Sequence, residues 1–460
     1  MGKTIRLFAY FMVAVALWAG CGNGEGTEED GVTDAADADA FVDSDAATWV
    51  LSFGGFDKDR AAAGIQADEH AYVIAGDTEG IAPFDQDLWV VKLGEAGGVL
   101  WEKLIAGSNR DVAGAAARTG DGRFIVAGAI DVMGSGTLDM WVLILGSRGE
   151  LFWQKAIGGG ADDLARAVLE TADNGIVAAG ETASFGAGET DMWIVKFDAG
   201  GNVEWQRTIG GPGSDTAGSI LETAEGDLVV AGGTESFGAG GRDAWLVKLD
   251  GGGDILWQKA IGGPEDDEAA AVVETGDGGL AAAGTTASYG SGDEDMWVVR
   301  LDLLGSIQWQ KTMGASGPDW AVSAVHAGGG EVAAVGTLGG EDMWAVKLGS
   351  GGDILWQKKI GYTQADVALS ASGTWDGGLL VSGVTQSFGS GGEDMWVARL
   401  GRDGALAGSC PLIQDTAVTA RDSGASLQET TAAAGDSSAS ARDTHAEDSD
   451  TMAIPELQCE

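Results

Sequence analysis

Two sets of aspartates recur along this 460-residue chain, and either could gather carboxylates in one place. One set lies two residues before a tryptophan: Asp87, Asp139, Asp191, Asp243, Asp295, Asp342 and Asp394. The other opens a run of small residues: Asp59, Asp111, Asp163, Asp215, Asp267, Asp319 and Asp366. Arranged in a ring, such residues could form an oxygen collar for calcium, a hard cation that takes carboxylate ligands. The competing reading has each Asp accepting N–H bonds from its own turn or from a neighbouring unit. A residue present in every copy of a repeat serves what all copies share, so both sets are read as construction. Catalysis instead needs a unique set of acids, bases or ligands. His70, His326 and His445 fall at different phases of the repeat and form no metal cluster by spacing. No nucleophile motif, phosphate-cradling glycine loop or Cys/His zinc pattern occurs in the sequence. The expectation is no catalytic residue, no metal site and no cofactor, with weak calcium binding compatible with the acidity. Trp320 and Trp375 stand outside the repeat pattern. Either could mark a ligand surface, although packing is the plainer role.

The elements that carry these aspartates are spaced by two tryptophan ladders. Trp89, Trp141, Trp193, Trp245, Trp297, Trp344 and Trp396 form the first, and Trp49, Trp101, Trp153, Trp205, Trp257, Trp309 and Trp356 the second. Steps are 52 residues, with a single step of 47 in each ladder. A period near 50 means one supersecondary unit copied and packed on its neighbours. One unit contains four β-type runs, LARAVLE, GIVAAGET, DMWIVKFD and NVEWQRTIG, separated by Gly/Asp turns. Seven four-stranded antiparallel units predict an all-β fold, a seven-bladed β-propeller. In the first run the position two after Asp is Ala61, Ala113, Ala165, Ala217, Ala269, Ala321 or Ala368. Two further on it is again Ala or Ser, so one face of this strand is expected to stay tiny, beside the axis. The indoles are expected further out, filling the widening gaps between blades.

The last unit lacks its fourth strand: Gly408 stands where a tryptophan is due. The matching run, Trp49 to Gly55, sits at the other end of the chain, so the N-terminal strand is expected to pair with residues 394–400 and close the ring. The 47-residue step drops five residues from one loop, GTLGGED, and leaves the strands intact.

Outside the repeat the chain is read in three pieces. Residues 1–20 carry Lys3 and Arg6 before a short apolar run, as in a secretory signal peptide. The ending Leu17-Trp18-Ala19-Gly20-Cys21 resembles the lipobox of bacterial lipoproteins. The resemblance implies that Cys21 is lipidated, with acyl chains such as palmitate anchoring the mature protein, and Gly22 after it implies the outer membrane. Residues 21–48 hold nine carboxylates and no base, a self-repelling tether. Residues 49–408 are the propeller. Residues 409–460 repeat an acid followed by Ser/Thr every seventh residue: Asp415, Asp422, Glu429, Asp436, Asp443 and Asp450. No apolar seam accompanies this heptad, so it is not a coiled coil. An ordered appendage and a solvated, glycosylated stalk both remain open for it. Cys410 and Cys459 bracket the segment, and in an exported protein they are expected to form a disulfide. A formal charge of −45 excludes nucleic-acid binding, which needs Lys/Arg stripes.

The phrase D-M-W-V-V-K-L-D followed by W-Q-K-x-I-G-G resembles the bacterial SBBP-type β-propeller repeat over about residues 49–401. That repeat is found in secreted and surface proteins and lipoproteins, and it implies a scaffold without a shared catalytic site. The blades are also similar to quinoprotein-like lipoprotein propellers that help assemble outer-membrane proteins. The adjacent cysteines of quinoprotein dehydrogenases are absent, so no quinone cofactor is implied. The expected function is a monomeric, non-enzymatic, lipid-anchored propeller at the cell envelope that presents loops to a protein or glycan partner. An assembly scaffold facing the periplasm is the alternative, and an enzyme with an unrecognised site on one propeller face ranks last.

Overall fold

The computed structural model describes residues 48–55, 57–79, 86–106, 110–132, 136–389, 392–406 and 412–423, and, as backbone, five short strands between residues 426 and 459. Cys21 and Cys410 lie outside the described residues, as does the side chain of Cys459, so the lipid anchor and the disulfide fall beyond them.

The described secondary structure is almost entirely β. The unit beginning at Asp163 runs Asp163–Glu170, Ile176–Thr182, Asp191–Phe197 and Val203–Ile209, each strand antiparallel to the next. Hydrogen bonding groups the strands into five five-stranded sheets and one ten-stranded sheet. The ten-stranded sheet joins two meanders through a single bridge, Asp342 opposite Asp366. Where the loop is five residues shorter, Val332–Leu338 and Asp342–Leu348 keep their full pairing. The N-terminal strand Trp49–Phe53 lies antiparallel to Asp394–Leu400, with Trp49 opposite Arg399 and Phe53 opposite Met395.

Neighbouring meanders are joined by apolar clusters, one of them between the two ends of the repeat array. Met140, Val142 and Ile144 pack against Ala165, Ile176, Trp193 and Val195 of the next meander. Trp49, Leu51, Phe53 and Met395 pack in the same way against Ala61, Ile74 and Trp89. First-ladder indoles are at most 4% exposed. Those of the second ladder divide: Trp49 is buried, while Trp101, Trp153, Trp205, Trp257, Trp309 and Trp356 are half-buried. The expectation that all fourteen fill the core is therefore corrected. Second-ladder rings sit near the outer edge, where six of them donate Nε1–H to a turn carbonyl of the following meander, as Trp153 does to Ala199 at 3.2 Å and Trp49 to Glu95 at 2.8 Å.

A second correction concerns the small residues. Every first strand carries a register shift between the two positions read as one face, for example between Ala165 and Ala167. A bulge of this kind inserts one residue and reverses the side-chain phase beyond it. Ala165 consequently packs toward the preceding meander and Ala167 toward the following one. Both faces of the strand are kept small, which suits a strand squeezed between two neighbours. The bulge also explains an invariant glycine. A Cβ at Gly180, Gly232 or Gly284 would overlap the carbonyl oxygen of Leu164, Thr216 or Glu268.

Of the two readings of the tail, its described strands follow the ordered one. Ile413–Asp415 pairs with Ile354–Ile360, and Arg421–Asp422 with Ile307–Met313. Ser426–Glu429 pairs with Ile255–Gly262, Ala434–Gly435 with Val203–Ile209, and Arg442–Asp443 with Leu151–Ile157. Glu447–Ser449 then pairs with Val99–Ala106, and Glu456–Cys459 with the N-terminal strand. The chain thus runs backward along the array as a belt, adding one short strand to each outer edge. Composition argued for disorder because no apolar face was visible; the belt is held by main-chain pairing, and in its first stretch Leu412, Ile413, Val418 and Ala420 also pack on the apolar clusters of the meanders.

Candidate binding site at the mouth of the axial cavity

Among the described residues, six of the seven invariant Asp of the first strands, Asp59, Asp163, Asp215, Asp267, Asp319 and Asp366, tie their own strand to the preceding turn. Asp215 accepts from Gly211 N–H at 2.7 Å, from the Ser236 hydroxyl at 2.6 Å and from the Thr234 hydroxyl. Asp163 repeats the set with Gly159, Ser184 and Thr182. In the meander with the short loop, Gly339 N–H at 2.6 Å stands in for the missing hydroxyls on Asp319. The backbone N–H of the same Asp reaches the neighbouring meander: Asp215 to Thr190 O at 2.8 Å, Asp267 to Arg242 O at 2.6 Å, and Asp59 to Glu393 O at 2.8 Å. The Asp set before the tryptophans turns inward as well. Asp191 accepts from Ala187 N–H at 2.9 Å, and Asp295 from Ser291 N–H at 2.8 Å. Burial pushes the Asp59, Asp191, Asp243 and Asp319 carboxyls above the ordinary carboxylate range; for the last three, an aspartate of the adjacent meander adds to the rise. Among the described residues no group of three His, Cys, Asp or Glu is arranged to hold a metal ion.

The first strands surround an axial cavity of about 290 Å³ lined mostly by Ala, Gly and Ser, with every first strand contributing. At the end where those strands begin, it opens beside a larger cavity of about 610 Å³. Here the copies differ. The position after the leading Asp is Arg60, Val112, Leu164, Thr216, Glu268, Trp320 or Val367; three after Asp, Arg166 is the sole charged residue; and before the Asp-x-Trp phrase Arg242 is the one base, where the other copies have Gln86, Leu138, Thr190, Glu294, Glu341 and Glu393. The larger cavity is lined by Arg166, Arg242, Glu268, Glu294 and Trp320 among others. Arg166 is held by Glu181 at 2.7 Å. Arg242 donates to the Thr216 hydroxyl and lies 3.3 Å from Glu268. Room for that guanidinium comes from Gly233, where a Cβ would collide with it. Further round the mouth, Arg60 contacts the buried Asp77 at 3.1 Å, and Gln86 bridges Asp77 to Arg110. Burial raises the Asp77 carboxyl above its usual range, against the pull of Arg60. Two fixed cations, exposed carboxylates and one indole wall can hold charged and planar side chains of a partner.

The opposite ends of the first strands are used for construction. Glu170, Glu222 and Glu274 each reach back to a turn of the preceding meander, accepting from Gly120, Ala172 and Ala224 N–H at 2.5–3.1 Å. Gln66 does the same to Trp375 N–H at 2.7 Å, across the two ends of the repeat array. The Trp375 ring is exposed, with Arg118 lying 5.5 Å from its centroid. His70 sits on Glu95, and His326 ends a first strand elsewhere; His445 is outside the described residues. Of the residues singled out from the sequence, Trp320 lines the mouth and Trp375 does not; Arg166, Arg242 and Glu268 carried no motif that marks them. The available signal was the set of columns in which the copies disagree.

No family model matches the chain, and no curated protein matches it. Solved structures of propellers are similar to it. The WD40 β-propeller domain of Doa1 has a TM-score of 0.49 at 8% identity, covering 76% of this chain and 97% of that one. Sqt1 from Chaetomium thermophilum gives 0.43 at 14%, covering 79% and 86%. Puromycin hydrolase gives 0.30 at 12%, covering 75% and 59%. The description as a β-propeller rests on the chain's own strand pairing and axial packing.

Proposed function

We propose that this chain is a non-enzymatic, seven-bladed β-propeller scaffold, closed by its N-terminal strand and held at the bacterial outer membrane through lipid on Cys21, that binds a protein partner at the mouth of its axial cavity. The observation that carries the reading is the collection of non-repeated residues, Arg166, Arg242, Glu268 and Trp320, on one cavity. A repeat protein that needed only its scaffold would have no reason to concentrate its departures from symmetry there. The lining includes no histidine, cysteine or serine, so the residue types favour recognition over covalent chemistry.

Closure is supported by the pairing of Trp49–Phe53 with Asp394–Leu400 and by the Asp59–Glu393 and Gln66–Trp375 hydrogen bonds, which repeat contacts made between consecutive meanders. The anchor is supported by the sequence before Cys21 alone. Co-purification from membranes tests the whole: wild-type chain retains its partner, and the Arg166→Glu, Trp320→Ala double variant loses it while keeping its fold. Equal recovery with both proteins would move the site away from the mouth, and a Cys21→Ala chain still fractionating with membranes would remove the anchor.

A further inference from the structure

Among the described residues, the belt and the edges it covers match in charge at four positions. Two positions after each second-ladder tryptophan, the fourth strands carry Lys103, Lys155, Arg207, Lys259, Lys311 and Lys358. The strand registers place Lys358 opposite Asp415, Lys311 opposite Asp422, Lys259 opposite Glu429 and Lys155 opposite Asp443. Opposite charges facing each other across an antiparallel pair favour that register, and like charges oppose it. Lys358 Nζ contacts the Asp415 carboxylate directly.

The hydroxyl that follows the acid has its own partner. Trp344 Nε1–H donates to Thr416 Oγ1 and Trp297 Nε1–H to Ser423 Oγ, both at 3.2 Å. Thr416 donates onward to Gln357 Oε1 at 2.7 Å, and Gln357 Nε2–H reaches Val418 O at 2.8 Å. In these two meanders both ladders meet in the belt: one supplies the indole donor, and the strand of the other supplies the base.

The seventh edge changes in step with its ligand. The N-terminal strand has Leu51 where the others have a base, and the belt has Leu457 where the others have an acid; the two are paired. Two independent departures from pattern on one blade are the mark of a matched surface.

We propose that the outer edges of the first six meanders form one repeated peptide-binding site that reads an extended strand bearing an acid and then Ser or Thr at every seventh position, with residues 412–459 as its ligand in cis. Strand addition supplies the affinity through main-chain bonds, and the side-chain code supplies the register. Each contact is only two to four residues long. Linkage in series makes the sum strong, because each docked strand raises the effective concentration of the next.

The test uses the full chain with Asp436→Lys, Asp443→Lys and Asp450→Lys. Amide hydrogen exchange in Val99–Ala106, Leu151–Ile157 and Val203–Ile209 is expected to accelerate at least about tenfold over wild type, a change a released edge would give. Adding Lys103→Glu, Lys155→Glu and Arg207→Glu to the same chain is expected to restore protection. A labelled peptide of residues 434–460 is expected to bind the triple variant saturably, whereas the same peptide with its acids spaced at six residues is not. Tryptophan near-ultraviolet dichroism reports whether the ring stays folded, and acid-to-Asn variants replace the Lys set if it does not. Unchanged edge protection, failure of the charge swap to restore it, or equal binding of the six-spaced peptide would each overturn the proposal.

Discussion

In the meander that begins at Asp163, all seven residues of Asp191–Phe197 are buried, whereas the belt strand on its outer edge, Ala434–Gly435, spans two residues. The first kind of strand is specified by apolar side chains on both faces, and its register is fixed because a slip would turn aspartate or lysine into the inter-blade core. The second kind is too short to carry an apolar stripe of its own. Where the belt's side chains are described, its register is matched by Asp415 on Lys358 and by Thr416 and Ser423, which accept indole N–H bonds. One sheet thus contains two modes of specification, and they differ in their response to mutation, acid and salt.

Removing a first-ladder indole is expected to have the largest effect. Trp193→Ala should cost about 3–5 kcal/mol in thermal or denaturant unfolding, while Trp205→Ala, half-buried at the edge, should cost distinctly less. Equal losses would erase the distinction between core and rim. Next comes Asp215→Ala, which strips an acceptor from Gly211 N–H and the Thr234 and Ser236 hydroxyls. Leaving buried donors unmet should cost about 2–3 kcal/mol, and Asp215→Asn should recover part of it.

Acid should separate the buried carboxylates from the exposed ones. Asp59, Asp191, Asp243 and Asp319 have folded pKa values raised above 3.8, chiefly by burial. The native state then binds more protons than the unfolded chain, so their contribution is fully present below the ordinary value and is lost as pH rises through the raised one. Asp121 and Asp173, held at about 2 mainly by hydrogen bonds from Arg123 and Lys196, act in the opposite sense. Their contribution is present above 3.8 and lost as pH falls toward about 2. The melting temperature is expected to rise on mild acidification and fall again in stronger acid. Converting Asp191, Asp243 and Asp319 to Asn should flatten the rise, and a rise of undiminished size in that variant would contradict the assignment.

The smallest effect is expected in the belt. Lys358→Ala should lower global stability by no more than about 1 kcal/mol, the range for exposed or edge pairs. At about 0.5 M salt the Debye length shortens to a few ångström, so the belt should become more susceptible to limited proteolysis while the blades do not. Equal sensitivity of belt and blades would mean that charge does not hold the belt.

Much of the repeat array is legible from residues alone. Asp-x-Trp and the second ladder locate the strands, and the orphaned run from Trp49 to Gly55 identifies the partner of residues 394–400. The bulge is not legible, because Ala62, Gly114, Arg166, Gly218, Ala270, Val322 and Leu369 share no property that announces it. The mouth is half legible: the unusual Arg, Glu and Trp stand out once the copies are aligned, but only folding gathers residues as far apart as Arg166 and Trp320 on one cavity.

The chain by itself determined the repeat, the strand type and the small-residue hub, because these follow from local periodicity and side-chain volume. It also wrote the heptad of acids and the column of bases, but in two stretches with nothing local to relate them. Only the tertiary structure decided that one lies on the other, since strands of two to four residues are too short to be recognised apart from the edge they meet.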